Sequence, residues 1–177
     1  MDSEKTGEMA RKKFAEIHAF LNMLVDSANK VKDELREKGW DCALTHSAGN
    51  YLKIAQQYEE QRYAIPLIVV DGIGDIGFNL DGVFFEFGRD PKRYDFVAMI
   101  GRLSQISCQV EIYEFKDNNY VDYYQSGTTD PEEAGLRITR ESRFCVMIDL
   151  YFTGTYAADR MADLFVVAVQ EINQCQM

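Results

Sequence analysis

"DGIGDIGFNLDG", Asp71 to Gly82, decides how the middle of this 177-residue chain is read. Gly72, Gly74 and Gly77 fall in the order G-x-G-x-x-G, interleaved with Asp71, Asp75 and Asp81. A dinucleotide fingerprint needs a strand before the glycines and a helix after them, with the helix N-terminus facing the pyrophosphate. "IPLIVV" supplies the strand, but "FNLDGVFFEF" after Gly77 reads as strand, turn and strand. A calcium loop of the EF-hand kind needs D-x-[DN]-x-[DN]-G and a glutamate at its twelfth position, and the three aspartates do not match it. Asp-Gly between β-branched or aromatic runs is a hairpin signal, because glycine accepts the positive φ such turns require. The stretch therefore predicts two turns, at Asp71-Gly72 and Asp81-Gly82, joining "AIPLIVV", "IGFNL" and "VFFEF" into antiparallel sheet.

Upstream, Ala10, Phe14, Ile17, Leu21, Leu24, Ala28, Val31 and Leu35 repeat at alternating spacings of four and three. That is the seam of one long helix. Ser3 is placed to cap its start and Gly39 to end it in a left-handed conformation, with Arg36 and Lys38 at the negative end of its dipole. The spacing predicts a helix over about 4–38, roughly 50 Å long at ~1.5 Å per residue. A body of this chain length is narrower than that, about 35–40 Å. Part of the helix should overhang, and an overhanging apolar seam, Leu21 and Leu24 among it, is expected to meet another chain. "WDCALTHS" after it reads as a strand, "AGN" at 48–50 as a turn, and "YLKIAQQY" as strand or short helix.

Downstream, Asp90-Pro91 reads as N-cap and first helical residue of a short helix over 91–104, with Phe96, Val97, Ile100 and Leu103 on one face. "ISCQVEIYEF", "KDNN" and "YVDYYQ" read as a hairpin. "SGTTDPEEAG" at 126–135 reads as a polar loop, and "LRIT" as a strand. "RFCVMIDLYF" is apolar on both alternating faces, so it is expected to be central and covered on both sides. A last helix is expected over about 155–174.

The whole is read as one domain over 1–177: an α+β fold with a mostly antiparallel sheet, a long N-terminal helix, a short middle helix within 40–152, and a C-terminal helix. In element order this resembles the dimeric chaperones of type III secretion, which are also small and acidic. The resemblance implies a homodimer that holds a protein partner.

Charge narrows the partners. The net charge is -10, with 19 Lys and Arg against 29 Asp and Glu. In residues 1–39 eight basic and eight acidic side chains cancel, so the whole excess lies on residues 40–177. An acidic surface repels nucleic acid and anionic membranes. Apolar runs fall short of the ~18 residues of a membrane span. The charged N-terminus lacks a signal-peptide core. A cytoplasmic protein is expected, with a protein partner and no cofactor.

Sites for chemistry are few. Cys42, Cys108, Cys145 and Cys175 form no C-x-x-C pair, so no zinc or redox motif is present, and they are expected as small buried hydrophobes. The two histidines are His18 and His46. Cys42 and His46 share a strand face but lie ~13 Å apart, too far for a nucleophile–base pair. If the chain is an enzyme or a small-molecule-binding protein, its groups are expected to be Asp149, Glu86, Glu111 and His46, in a pocket between sheet and helices. Asp149, inside "VMIDLYF", needs a partner such as Arg137, Arg140 or Arg143, or a raised pKa. Two carboxylates, Asp149 with Glu86 or Glu111, are the pair that would serve a divalent cation or acid–base chemistry. For a protein-interaction module the binding residues are Tyr113, Tyr120, Tyr123 and Tyr124 on one hairpin, together with Leu21 and Leu24. The interaction module, acting as a homodimer, is the leading reading.

Overall fold

A computed structural model describes residues 3–46, 66–78, 82–116, 119–153 and 157–177, without the side chains of 3–7 and 46. The turn at 48–50, the segment "YLKIAQQY" and Asp81 lie outside the described residues. Among these residues there are four helices, α1 (Ser3–Glu37), α2 (Phe96–Leu103), α3 (Pro131–Glu141) and α4 (Ala158–Asn173). Seven strands accompany them: β1 (Cys42–His46), β2 (Pro66–Val70), β3 (Gly74–Phe78), β4 (Gly82–Arg89), β5 (Gln109–Lys116), β6 (Asn119–Gln125) and β7 (Val146–Thr153). They form one sheet in the order β1-β2-β3-β4-β7-β5-β6, with every pairing antiparallel. The chain is thus an α+β fold.

α1 ends as its sequence dictates. Gly39 has φ 88°. Gly39 N donates to Arg36 O and Trp40 N to Leu35 O, at 2.9 and 3.0 Å, the paired bonds that close a helix through a left-handed glycine. The glycine-rich stretch is a hairpin. Gly72 turns at φ 65°, Ile73 N donates to Val70 O, and Gly74 and Gly77 lie inside or beside β3 pairings rather than ahead of a helix. Gly74 is needed for a different reason: a Cβ there would run into the Phe87 ring and the Glu86 carbonyl.

β7 inserts between β4 and β5, pairing Gly82–Arg89 on one side and Gln109–Tyr113 on the other. Its Val146, Ile148, Leu150 and Phe152 face the helices and are buried. The helices and this face of the sheet share one core. At its centre Phe165 of α4 lies 5.3 Å from both Phe85 and Phe87, and 6.3 Å from Trp40. Ala28, Val31 and Leu35 bring the second half of α1 into the same core.

Two expectations change. α2 begins at Phe96, capped by Asp95, whose carboxylate accepts from Ala98 N; Asp90 instead closes a turn by accepting from Lys92 N. "LRIT" is not a strand, nor 126–135 wholly loop, because α3 runs through both. Asp130 accepts from Glu132 N and Glu133 N, with Pro131 in the first turn, and that start outweighs the short apolar alternation. β7 is central, as expected; the described helices share the core on one of its faces, and on the other Asp149 is buried and Met147 and Tyr151 are half-buried.

Candidate functional site

Two features stand apart from the core: the first half of α1, and the sheet face turned away from the helices.

On α1 every residue from Glu8 to Ala19 is exposed. The seam is continuous but its environment is not. Met9, Phe14 and Ile17 are exposed, at 59%, 48% and 47%, whereas Leu21 and Leu24 are buried, with Phe20 against them. Leu21 and Leu24, expected as contacts to another chain, are therefore covered within this one. The uncovered seam lies one to two turns nearer the N-terminus. His18, also on this half, has its Nδ1 3.1 Å from Asn22 Nδ2.

On the sheet face, strand register assembles carboxylates that are distant in sequence. Asp75 opposes Glu86, Glu86 opposes Asp149, and Asp149 opposes Glu111, on β3, β4, β7 and β5. Opposed residues share a face, with Cβ atoms about 4.5–5.5 Å apart. The row continues to Gln125 on β6, whose Nε2 makes a long 3.5 Å contact to Glu111 Oε1. Asp149, Glu86 and Glu111 are thus brought together. The side chain of His46, at the far end of β1, lies outside the described residues.

Asp149 is 5% exposed. Its Oδ2 accepts from Tyr151 Oη at 3.0 Å, and its Oδ1, closed to solvent, has no hydrogen-bond partner among the described residues. None of Arg137, Arg140 and Arg143 reaches it: Arg137 lies over the Tyr123 ring and against Glu141, and Arg143 N donates to Glu114. Burial, then the neighbouring Glu86, pushes the Asp149 carboxyl up to about 7. Asp75 is shifted upward for the same two reasons. Tyr113 Oη donates to Glu86 Oε2 at 3.0 Å, and burial beside Asp149 and Glu86 holds its phenol far above the ordinary range.

Rings flank the row. Phe84 and Tyr151 stand on one side of it, 6.1 Å apart. Tyr113 stands on the other, 5.4 Å from Tyr120, which also meets Phe115 at 5.2 Å. Tyr120 is 69% exposed. Tyr123 and Tyr124, by contrast, are buried and do not offer a surface. A bulge in β6 causes the division: Ile112 opposes Tyr124 while the next residue, Tyr113, opposes Asp122, so Tyr123 is the extra residue and both turn inward. Tyr123 Oη donates to buried Glu114 at 2.8 Å, which helps push its phenol up to about 12.

Among the described residues no three His, Cys, Asp or Glu side chains are placed to hold one metal ion. Cys42 and Cys175 are buried as expected, but Cys108 and Cys145 are exposed. No described helix is long and apolar enough to cross a membrane.

No family model matches the chain, and no curated protein matches it. The fold has a solved counterpart. The chain is similar to a conserved hypothetical protein from Pyrococcus furiosus, with a TM-score of 0.64 at 14% identity, over 90% of this chain and 98% of that one. At that identity the similarity concerns the fold alone.

Proposed function

We propose that the chain is a non-catalytic protein-interaction module of the cytoplasm, chaperone-like in holding a partner protein, and that it acts as a homodimer joined through the first half of α1. The observation that carries this reading is the exposure of Phe14 and Ile17 on a helix whose residues 8–19 are exposed on every side. A helical stretch of this length is marginal in water without packing. A second copy supplies the packing by continuing the seam that Leu21, Leu24, Ala28, Val31 and Leu35 already bury.

Charge supports a second copy as the occupant. Residues 1–39 are electrically balanced, while the remainder carries the entire net charge of -10. Pairing through the neutral helix keeps the two acidic bodies apart. The exposed Phe115–Tyr120 pair on the β5–β6 hairpin is the second apolar surface, suited to the protein partner.

Hydrogen exchange tests the reading. Amides of residues 8–19 are expected to gain protection as protein concentration rises, while those of Ala28–Leu35 stay equally protected throughout. Fast exchange of 8–19 that is unchanged up to millimolar concentration contradicts it.

A further inference from the structure

α1 carries a second row of residues beside its seam. Met9, Lys13, Glu16, Phe20 and Met23 follow one another at the same alternating spacing of four and three, so they line one edge of the helix. Met9, Lys13, Glu16 and Met23 are exposed, and Phe20 is half-buried. The seam sinks into the chain's own body from Leu21 onward, but this row stays outside as far as Met23. The uncovered apolar surface of α1 therefore runs from Met9 through Phe14, Ile17 and Phe20 to Met23, about 21 Å at ~1.5 Å per residue. It reads nearly alike from either end. Met9 and Met23 stand equally far from Glu16, and Phe14 and Ile17 lie to either side of it. In a two-fold contact both copies present the same patch, so that one residue meets a second and the second meets the first. A patch that reads alike in both directions meets that condition with the helices antiparallel.

We infer that two copies pair with their α1 helices antiparallel about a two-fold axis at Glu16, each Met9 against the partner's Met23 and each Phe14 against the partner's Ile17; this rests on the homodimer reading above.

Charge decides the direction. The net charge of -10 lies on residues 40–177, at the C-terminal end of the exposed half of α1. Parallel helices set the two acidic bodies level with each other, and each Lys13 level with the partner's Lys13. Antiparallel helices set Leu21, where each body begins, level with the partner's Arg11. The bodies then begin about 15 Å apart along the helices. That is nearly twice the ~8 Å over which charges interact at physiological ionic strength. The basic run Arg11, Lys12 and Lys13 is carried towards the partner's acidic body instead of lying alongside its own counterpart. On the edge row, Lys13 comes within one turn of the partner's Glu16, and the two-fold axis makes that pair twice.

Thiol cross-linking of the full chain reads the direction. Cys108 and Cys145, which are exposed, are replaced by serine in both variants. Glu16→Cys and Ala10→Cys each change an exposed position. Glu16→Cys sits on the axis, so a bismaleimide spanning about 10 Å, the separation of packed helix axes, is expected to join two copies. Ala10→Cys lies roughly 18 Å along the helices from its counterpart and is expected to give at least ten-fold less cross-linked dimer. Parallel pairing reverses this result, because seam positions then face their counterparts and edge positions diverge. Cross-linking through Ala10→Cys alone, or equally through both, overturns the antiparallel arrangement and leaves the homodimer standing. Cross-linking through neither also overturns it. If the chain then sediments at a single chain mass, the homodimer reading falls too, and at twice that mass only the arrangement falls.

Discussion

Glu86 on β4 stands directly opposite Asp149 on β7, two carboxylates in one cross-strand pair at the centre of the sheet. Like charges so placed repel. The fold accommodates them through Tyr113 on Glu86, Tyr151 on Asp149, and a proton that Asp149 keeps to about pH 7.

That proton makes stability depend on pH. Below about pH 4, Asp149 is protonated in folded and unfolded chains alike. As pH rises towards 7 the unfolded chain ionises and the folded one does not, so the contribution of this group falls and the loss is complete above about 7. A shift from the ordinary value to about 7 corresponds to roughly 4 kcal/mol. Asp149→Asn is therefore expected to raise the melting temperature by several degrees at pH 8 and to have little effect at pH 4, read from thermal melts.

Glu114 behaves oppositely. Burial opposes its ionisation, but Tyr123 Oη, Arg143 N and Phe144 N all donate to it, and they hold its carboxyl below the usual range. Its contribution is present above the unfolded pKa and lost as pH falls through the folded one. Glu114→Gln is expected to cost about 1–3 kcal/mol at pH 7 in urea unfolding. The difference should narrow in acid, where the native glutamate is also neutral.

Phe165 is the hub of the aromatic core, touching Phe85, Phe87 and Trp40 from α4. Phe165→Ala is expected to cost about 3–5 kcal/mol, measured as a lower urea midpoint with an unchanged slope.

The layout of this fold was legible wherever one residue type or one spacing carried the information. The four-three repeat of α1 predicted a helix that differs by one residue at each end, and the Asp71-Gly72 pair predicted the β2–β3 turn. α3 was missed because "LRIT" is too short for helix and strand periods to separate, although Asp130-Pro131-Glu132-Glu133 carried the start signal. Gly135 added to the difficulty, a poor helix former that the fold needs because any Cβ there would strike Val97 of α2. Asp149, Glu86 and Glu111 were each visible as acids in apolar strands. Their alignment was not, since it follows from β7 entering between β4 and β5, a long-range choice that local pattern does not encode. Likewise the β6 bulge that turns Tyr123 and Tyr124 inward leaves no mark in an alternating run.

Charge on the α1 seam separates association from folding. Leu21→Glu is expected to lower the melting temperature, because Leu21 is 4% exposed within its own chain. Phe14→Glu with Ile17→Glu, on the exposed half, should leave the circular dichroism of the body unchanged.

Sedimentation equilibrium of the unaltered chain and of the Phe14→Glu, Ile17→Glu double variant tests self-association most directly. The account predicts twice the 20.3 kDa chain mass for the former and the single chain mass for the latter. A single chain mass for both, at concentrations up to hundreds of micromolar, would contradict it.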